Sequence, residues 1–153
     1  MKKIIGLVLL VSSVAFAQAR PEDAHVYRLD FTVAENNGGK TTSSSSYTLN
    51  LEEHRTGEIK VGSNVALAGP APGATMRADV GLVLRASFTS VGDDLLVEDD
   101  VEISAAEGAQ TFRKMSSKGN ALIAPGKPAL VASVEDPVDR KRYQVTVRAT
   151  RLR

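Results

Sequence analysis

Apolar and polar residues alternate along most of the chain with a period of two, not the 3.6 of a helix. Between residues 26 and 34, polar residues alternate with four apolar ones, Tyr27, Leu29, Phe31 and Val33. In a β-strand this spacing puts the apolar side chains on one face and the polar side chains on the other. The same pattern predicts further strands at 47–52, 58–67, 75–89, 95–103, 109–115, 121–124, 128–134 and 142–152.

Residues that favour turns separate these segments. Residues 36–39 (Asn-Asn-Gly-Gly) tolerate positive φ, and we expect the polar run 41–46 to lengthen that connection. A turn at 55–57 predicts a hairpin between the second and third segments. The sequence GPAPG at 69–73 predicts a loop, because proline cannot donate to a hydrogen-bond ladder.

The number and spacing of the strands predict the fold class. About eight or nine strands at roughly ten-residue intervals indicate an all-β domain, a single antiparallel sandwich or small barrel. Gly81 predicts a bend or a close backbone approach within segment 75–89, and residues 91–94 predict another turn. The matching patterns of segments 26–34 and 142–152 suggest that the first and last strands are neighbours in one sheet.

The first 19 residues are typical of a secretory signal peptide. Lys2 and Lys3 precede an apolar run of about 13 residues, shorter than the roughly 20 that span a membrane as a helix. Cleavage after Ala17 or after Ala19 fits the small residues at the end of the run, and we favour Ala19. The sequence therefore predicts a signal peptide at 1–19, a single all-β domain at 20–153, and a periplasmic or secreted location.

Composition excludes several classes of function. Removal of the signal peptide with its two lysines leaves 17 basic residues and 18 acidic ones, so the net charge is close to zero. Such a charge gives no reason to expect nucleic acid as a partner. The absence of cysteine excludes disulfides and thiolate metal sites. The six aromatic residues that follow residue 19 are too few for the aromatic girdles of membrane barrels, so we expect no membrane insertion.

No arrangement of residues predicts an enzyme or a cofactor. The chain has no Gly-x-Ser-x-Gly motif and no histidine close to a nucleophile in sequence, so we predict a non-catalytic protein without cofactors. His25 and His54 lack the second ligand at zinc spacing and are interpreted as surface or edge residues. A hydrolase that uses two carboxylates remains an alternative, because acidic residues are plentiful.

An acidic stretch at 93–102 is the candidate metal site. Glu98, Asp100 and Glu102 alternate along a strand and are expected to face water, too far apart to share one ion. Asp99 falls among the apolar positions and is expected to be buried unless a bulge exposes it. The calcium candidates are therefore Asp93, Asp94 and Asp99.

Basic residues gather near the C-terminus and form a candidate anion-binding or partner-binding edge. They are Arg140, Lys141, Arg142, Arg148 and Arg151. The alternative interpretation is an edge strand that uses charge to resist pairing with other molecules.

The middle of the chain resembles the β-rich core of bacterial secretins over residues 57–134. The resemblance lies in residues 59–65, in Met-Arg-Ala-Asp-Val-Gly-Leu-Val-Leu at 76–84, in 94–97 with Val-Glu-Ile-Ser at 101–104, and in 124–131. It implies a bacterial envelope β domain that pairs or assembles with other envelope proteins. The alternative function is a carrier in which a β-barrel holds a small apolar ligand.

Overall fold

A computed structural model of the chain describes residues 25–69, 71–107 and 111–153. The predicted signal peptide at 1–19 lies outside the described residues. None of the residues within those three ranges forms a helix long and apolar enough to cross a membrane.

Eight β-strands account for most of the described residues. They are β1 (Val26–Asn37), β2 (Lys40–Glu52), β3 (Gly57–Ala68), β4 (Thr75–Val91), β5 (Asp94–Glu107), β6 (Thr111–Ile123), β7 (Pro128–Glu135) and β8 (Lys141–Arg151). The predicted all-β class is therefore confirmed.

The strands form two four-stranded sheets, in which all pairs are antiparallel. Sheet A has the order β2-β1-β8-β7, and sheet B has the order β3-β4-β5-β6. The two sheets pack face to face, so the fold is a sandwich. The first and last strands pair along their whole length, from Tyr27↔Arg151 to Asn37↔Lys141, which confirms the predicted neighbours.

Three local predictions were wrong. The polar run 41–46 belongs to β2 and not to a connection, because a tight turn at Gly38 and Gly39 already reverses the chain, with φ of 58° and 82°. Residues 55–57 do not join a hairpin; β2 and β3 lie in different sheets, each with its apolar face toward the core. Segments 109–115 and 121–124 meet in one strand, β6.

The core lies between the sheets and contains the apolar residues that the period of two predicted. Phe31 and Leu29 of sheet A and Phe88 and Leu84 of sheet B are at most 1% exposed. The rings of Tyr27 and Phe88 meet edge to face, with centroids 5.3 Å apart. Burial of each of the largest side chains contributes about 1.5–3 kcal/mol, so packing alone can hold this cysteine-free domain.

A buried ion pair fastens the turn between β7 and β8 to sheet B. Asp136 is 3% exposed and accepts a hydrogen bond from Arg113 of β6 and from the backbone N–H groups of Val138 and Asp139. Burial alone would raise the pKa of Asp136, but these three donors together hold it below its usual value. Neither residue stood out in the sequence, because their partnership depends on strands in opposite sheets.

Candidate assembly surface

The structure does not bring the three calcium candidates together. Asp93 lies in the turn before β5, Asp94 begins the strand, and Asp99 lies five residues further along it, about 17 Å away. Within the described ranges, no group of three or more histidine, aspartate or glutamate side chains is placed to hold a metal ion. Calcium binding stays an untested prediction, and the geometry gives it no shared site.

Asp99 lies on the inner face of β5, as its place among apolar residues predicted. It is 5% exposed, and neither carboxylate oxygen has a hydrogen-bond partner. It pairs in register with Ala86 of β4 and Gly119 of β6. Burial, followed by the charge of Asp100, raises the pKa of Asp99 to about 6.

The candidate basic edge is not an edge. Its strand, β8, lies inside sheet A between β1 and β7. Lys141 contacts Glu35 at 3.0 Å, and Arg151 contacts the His25 ring at 2.9 Å at the far end of the strand, so the cations are spread over about 30 Å. Anion or partner binding by the whole set stays a prediction that this placement does not favour.

The outer face of sheet B carries a row of alternating charges that crosses all four strands. Glu58 of β3 is opposite Arg85 of β4, which is opposite Asp100 of β5, which is opposite Lys118 of β6. The contacts are 2.5 Å from Arg85 to Glu58, 3.6 Å from Arg85 to Asp100 and 3.3 Å from Lys118 to Asp100. The row thus ends in a carboxylate on one side of the sheet and an ammonium group on the other.

A second set of ion pairs flanks this row. Lys60 lies 2.9 Å from Glu58, and Lys114 of β6 lies 2.8 Å from Glu102 of β5. The hydrogen bond from Lys60 is the largest effect that lowers the pKa of Glu58; burial opposes it and Arg85 reinforces it. Glu58 is therefore ionised at neutral pH, and its carboxylate, with Lys60 and Arg85 beside it, ends the row at the β3 side of the sheet.

Paired glycines shape a groove next to these charges. Gly62 and Gly81 face each other across β3 and β4, and a Cβ on either would lie 2.1 Å from a carbonyl oxygen of the other strand. Gly81, with φ of 140°, makes a close backbone approach, one of the two alternatives that the sequence predicted. The groove has a volume of about 570 Å³ and includes the Ser104 hydroxyl, which accepts a hydrogen bond from the Gly81 N–H.

The free edges of the sheets differ in how they are protected. In sheet A, β7 is only eight residues long, begins at Pro128 and contains a register shift, all of which hinder pairing. In sheet B, β3 has no charged residue, proline or bulge from Val61 to Ala68. The side of sheet B at β3 is therefore open to a further strand.

The space between the sheets does not favour the carrier hypothesis. A pocket of about 90 Å³ opens there, beside Val33, Tyr47 and Leu82. Binding sites for small molecules usually measure about 300–1,000 Å³. The hydrolase alternative is not favoured either, because Glu58, Asp100 and Glu102 on the outer face of sheet B are engaged by lysine or arginine partners.

Sequence reasoning did not identify Glu58, Arg85 or Lys118. The pattern does place each of them on the polar face of its strand. Their alignment into one row depends on three strand registers, which no local signal specifies.

Comparisons with known proteins bear on the fold. No protein-family model matches the chain, and no curated protein matches it. The structure is similar to the secretin domain β-barrel of InvG from the Salmonella SPI-1 injectisome, at 10% identity and a TM-score of 0.57, over 85% of this chain and 64% of that one.

Two secretins of type II secretion are similar to a comparable degree. GspD of Escherichia coli K12 matches at 12% identity and a TM-score of 0.59, over 85% of this chain and 50% of its own. GspD in the ETEC pilotin–secretin complex AspS–GspD matches at 13% and 0.56, over 85% and 49%. This chain thus spans about half to two-thirds of the length of these proteins. The resemblance to secretins is confirmed at the level of the fold, which is that of a secretin β domain.

Proposed function

We propose that this chain is a non-catalytic β domain of the bacterial cell envelope, periplasmic or secreted, that assembles edge to edge with further copies of itself. The observation that carries the proposal is the charge row on sheet B. Its two ends lie on the two outer strands of the sheet and have opposite sign, Glu58 on β3 and Lys118 on β6.

The geometry of sheet B is self-complementary. Neighbouring strands in the sheet alternate in direction, so the β6 strand of a second copy would run antiparallel to β3. If the register of sheet B continues into the second copy without a stagger, Lys118 of that copy lies opposite Glu58. Its Ser116 then lies opposite Lys60. The alternation of charges then continues from one copy into the next, while main-chain hydrogen bonds supply most of the affinity.

Both edges have enough free strand for this contact. The chain turns from β6 into β7 directly after Ile123, and Gly119 lies close to the Val131 carbonyl of β7. β7 continues along β6 as far as the contact between Arg113 and Asp136, but it belongs to sheet A. Among the described strands, none pairs with the outer edge of β6 or with the outer edge of β3. A contact between two different edges generates a ring if the rotation closes and a filament if it does not.

The similar structures also support a role in assembly within the cell envelope. One of them is described as a secretin domain β-barrel, and others are secretins in complex with the pilotin AspS or with PrgH and PrgK. Envelope proteins of that kind are the further partners we propose for this chain. Because Glu58, Asp100 and Glu102 on sheet B are paired with basic side chains and the interior is packed, the proposed role is assembly and not catalysis.

Charge reversal tests the proposed contact. We expect Glu58→Lys and Lys118→Glu each to prevent assembly of the mature protein, because each puts like charges opposite each other at the contact. An equimolar mixture of the two variants is expected to assemble, since each reversed charge then meets its opposite. Mass by light scattering after size-exclusion chromatography, at low and high salt, measures the outcome.

The controls separate assembly from folding. Far-UV circular dichroism and urea unfolding establish that each variant is folded. Arg148→Glu reverses an exposed charge on the outer face of sheet A and should leave the mass distribution of the wild type unchanged. Monomeric wild-type protein at all concentrations, or a mixture that assembles no better than its components, would contradict the proposal.

A further inference from the structure

Two turns that are distant in sequence lie side by side at one end of sheet A and enclose a polar pocket of about 320 Å³. Pairing of β1 with β8 puts Asn37, at the β1–β2 turn, opposite Lys141, at the β7–β8 turn. We propose that this pocket binds a phosphate group through Arg140, Arg142 and Gln144. The site is separate from the edges of sheet B and does not depend on their function.

Arg140 supplies a cation from a turn whose backbone is fixed by a hydrogen bond. Its N–H donates to the Asp136 carbonyl at 3.0 Å, which closes the turn and holds Arg140 at φ of 54°, a left-handed conformation that non-glycine residues rarely adopt. Arg140 is exposed and lines the pocket. Across from it, Gly38 and Gly39 present no side chain that would block access.

Asn36 and Gln144 line the pocket and belong to a hydrogen-bond chain that ends in donors facing no partner among the described residues. The Thr41 hydroxyl donates to Asn36 Oδ1 at 2.7 Å, and Asn36 Nδ2 donates to Gln144 Oε1 at 2.9 Å. This direction of donation fixes the amide of Gln144 with its Nε2 hydrogens unused by the chain. An acceptor in the pocket would complete the network.

Arg142 favours a phosphate over a carboxylate. Its guanidinium contacts Glu135 at 2.9 Å, but both side chains are 55% exposed, and such pairs are worth little. A single carboxylate ligand would only exchange for Glu135. A phosphate dianion carries more charge and has enough oxygens for two guanidinium groups and an amide, so it gains from the exchange.

Titration of the mature protein with inorganic phosphate at constant ionic strength, followed by two-dimensional NMR, tests the site. We expect shifts of the backbone amides of residues 36–39 and 140–144, and about tenfold weaker binding for Arg140→Ala and Arg142→Ala. Glu135→Gln is expected to tighten binding, because it removes the competing carboxylate. Arg148→Ala is the matched control, because Arg148 lies on β8 like Arg142 but outside the pocket, and this variant should bind phosphate like the wild type.

Vesicles distinguish the source of the phosphate. Cosedimentation with phosphatidylcholine vesicles that contain phosphatidic acid, lost in Arg140→Ala and absent with phosphatidylcholine alone, would identify a lipid headgroup. Binding of inorganic phosphate without cosedimentation would identify a soluble phosphate. No saturable shifts at residues 36–39 and 140–144, or equal affinities for Arg140→Ala and Arg148→Ala, would overturn the proposal.

Discussion

The buried carboxyl of Asp99 should make the stability of the domain depend on pH in a defined direction. The side chain is 5% exposed, and neither oxygen has a hydrogen-bond partner, so the ionised form loses its hydration without compensation. Its pKa is raised from the ordinary 3.8 to about 6. We predict that Asp99→Asn removes this dependence.

The magnitude follows from that rise in the pKa. Between about pH 4 and pH 6 the folded state holds a proton that the unfolded state has released, so the free energy of unfolding falls as the pH rises. The destabilisation of the folded state by the buried, ionised Asp99 is nearly absent below about pH 4 and reaches about 3 kcal/mol above pH 6. Relative to the wild type, Asp99→Asn should therefore gain up to about 3 kcal/mol on going from acidic to neutral pH.

Urea unfolding across that pH range, followed by far-UV circular dichroism, measures the difference. The unpaired amide of the variant carries its own cost at every pH, so the change in the difference with pH is the informative quantity. Glu98→Gln, at an exposed residue next to Asp99 in sequence, is the matched control and should keep the fall in stability between about pH 4 and pH 6, because Asp99 stays buried in it. Parallel pH profiles for the wild type and Asp99→Asn would refute the reasoning.

Three further substitutions test the packing between the sheets and the strand pairing within sheet B. Phe31→Ala should cost about 3–5 kcal/mol in urea unfolding, because the ring is fully buried, whereas Phe112→Ala, 44% exposed, should cost far less. Gly81→Ala should lower stability by more than about 1 kcal/mol, because the new Cβ meets a carbonyl oxygen, while Gly92→Ala, also at positive φ but in open space, should cost less. Asp136→Asn should lower the urea midpoint and speed amide exchange in the β7–β8 turn, because it weakens the ion pair between the sheets.

The pattern of apolar and polar residues predicted correctly the features that depend on a single strand. The alternation in β1 predicted that Leu29 and Phe31 are buried, and the same alternation predicted that Asp99 lies inside despite its charge. Gly81 was predicted to mark a bend or a close backbone approach, because glycine in a strand has few other roles, and the structure shows the close approach. The polar run 41–46 was misread, because serine and threonine suit both a loop and an exposed edge strand.

The pattern could not predict which strands are in contact. A period of two says which side chains share a face, but not which strand lies beside it or at what stagger. For this reason the basic residues of β8 looked like an edge, although β8 lies in the middle of sheet A. The same limit hid the pocket that joins Arg140 to Gly38 and Gly39, since the residues are about a hundred positions apart.

The sequence by itself determined the all-β class, the residues of the core and the burial of Asp99, because these depend on the spacing of side chains along a single strand. Only the tertiary structure decided that β2 and β3 part into different sheets and that Glu58 and Lys118 end one charge row. The physical reason is that strand order and register come from the simultaneous packing of two sheets, a long-range property that no short segment encodes.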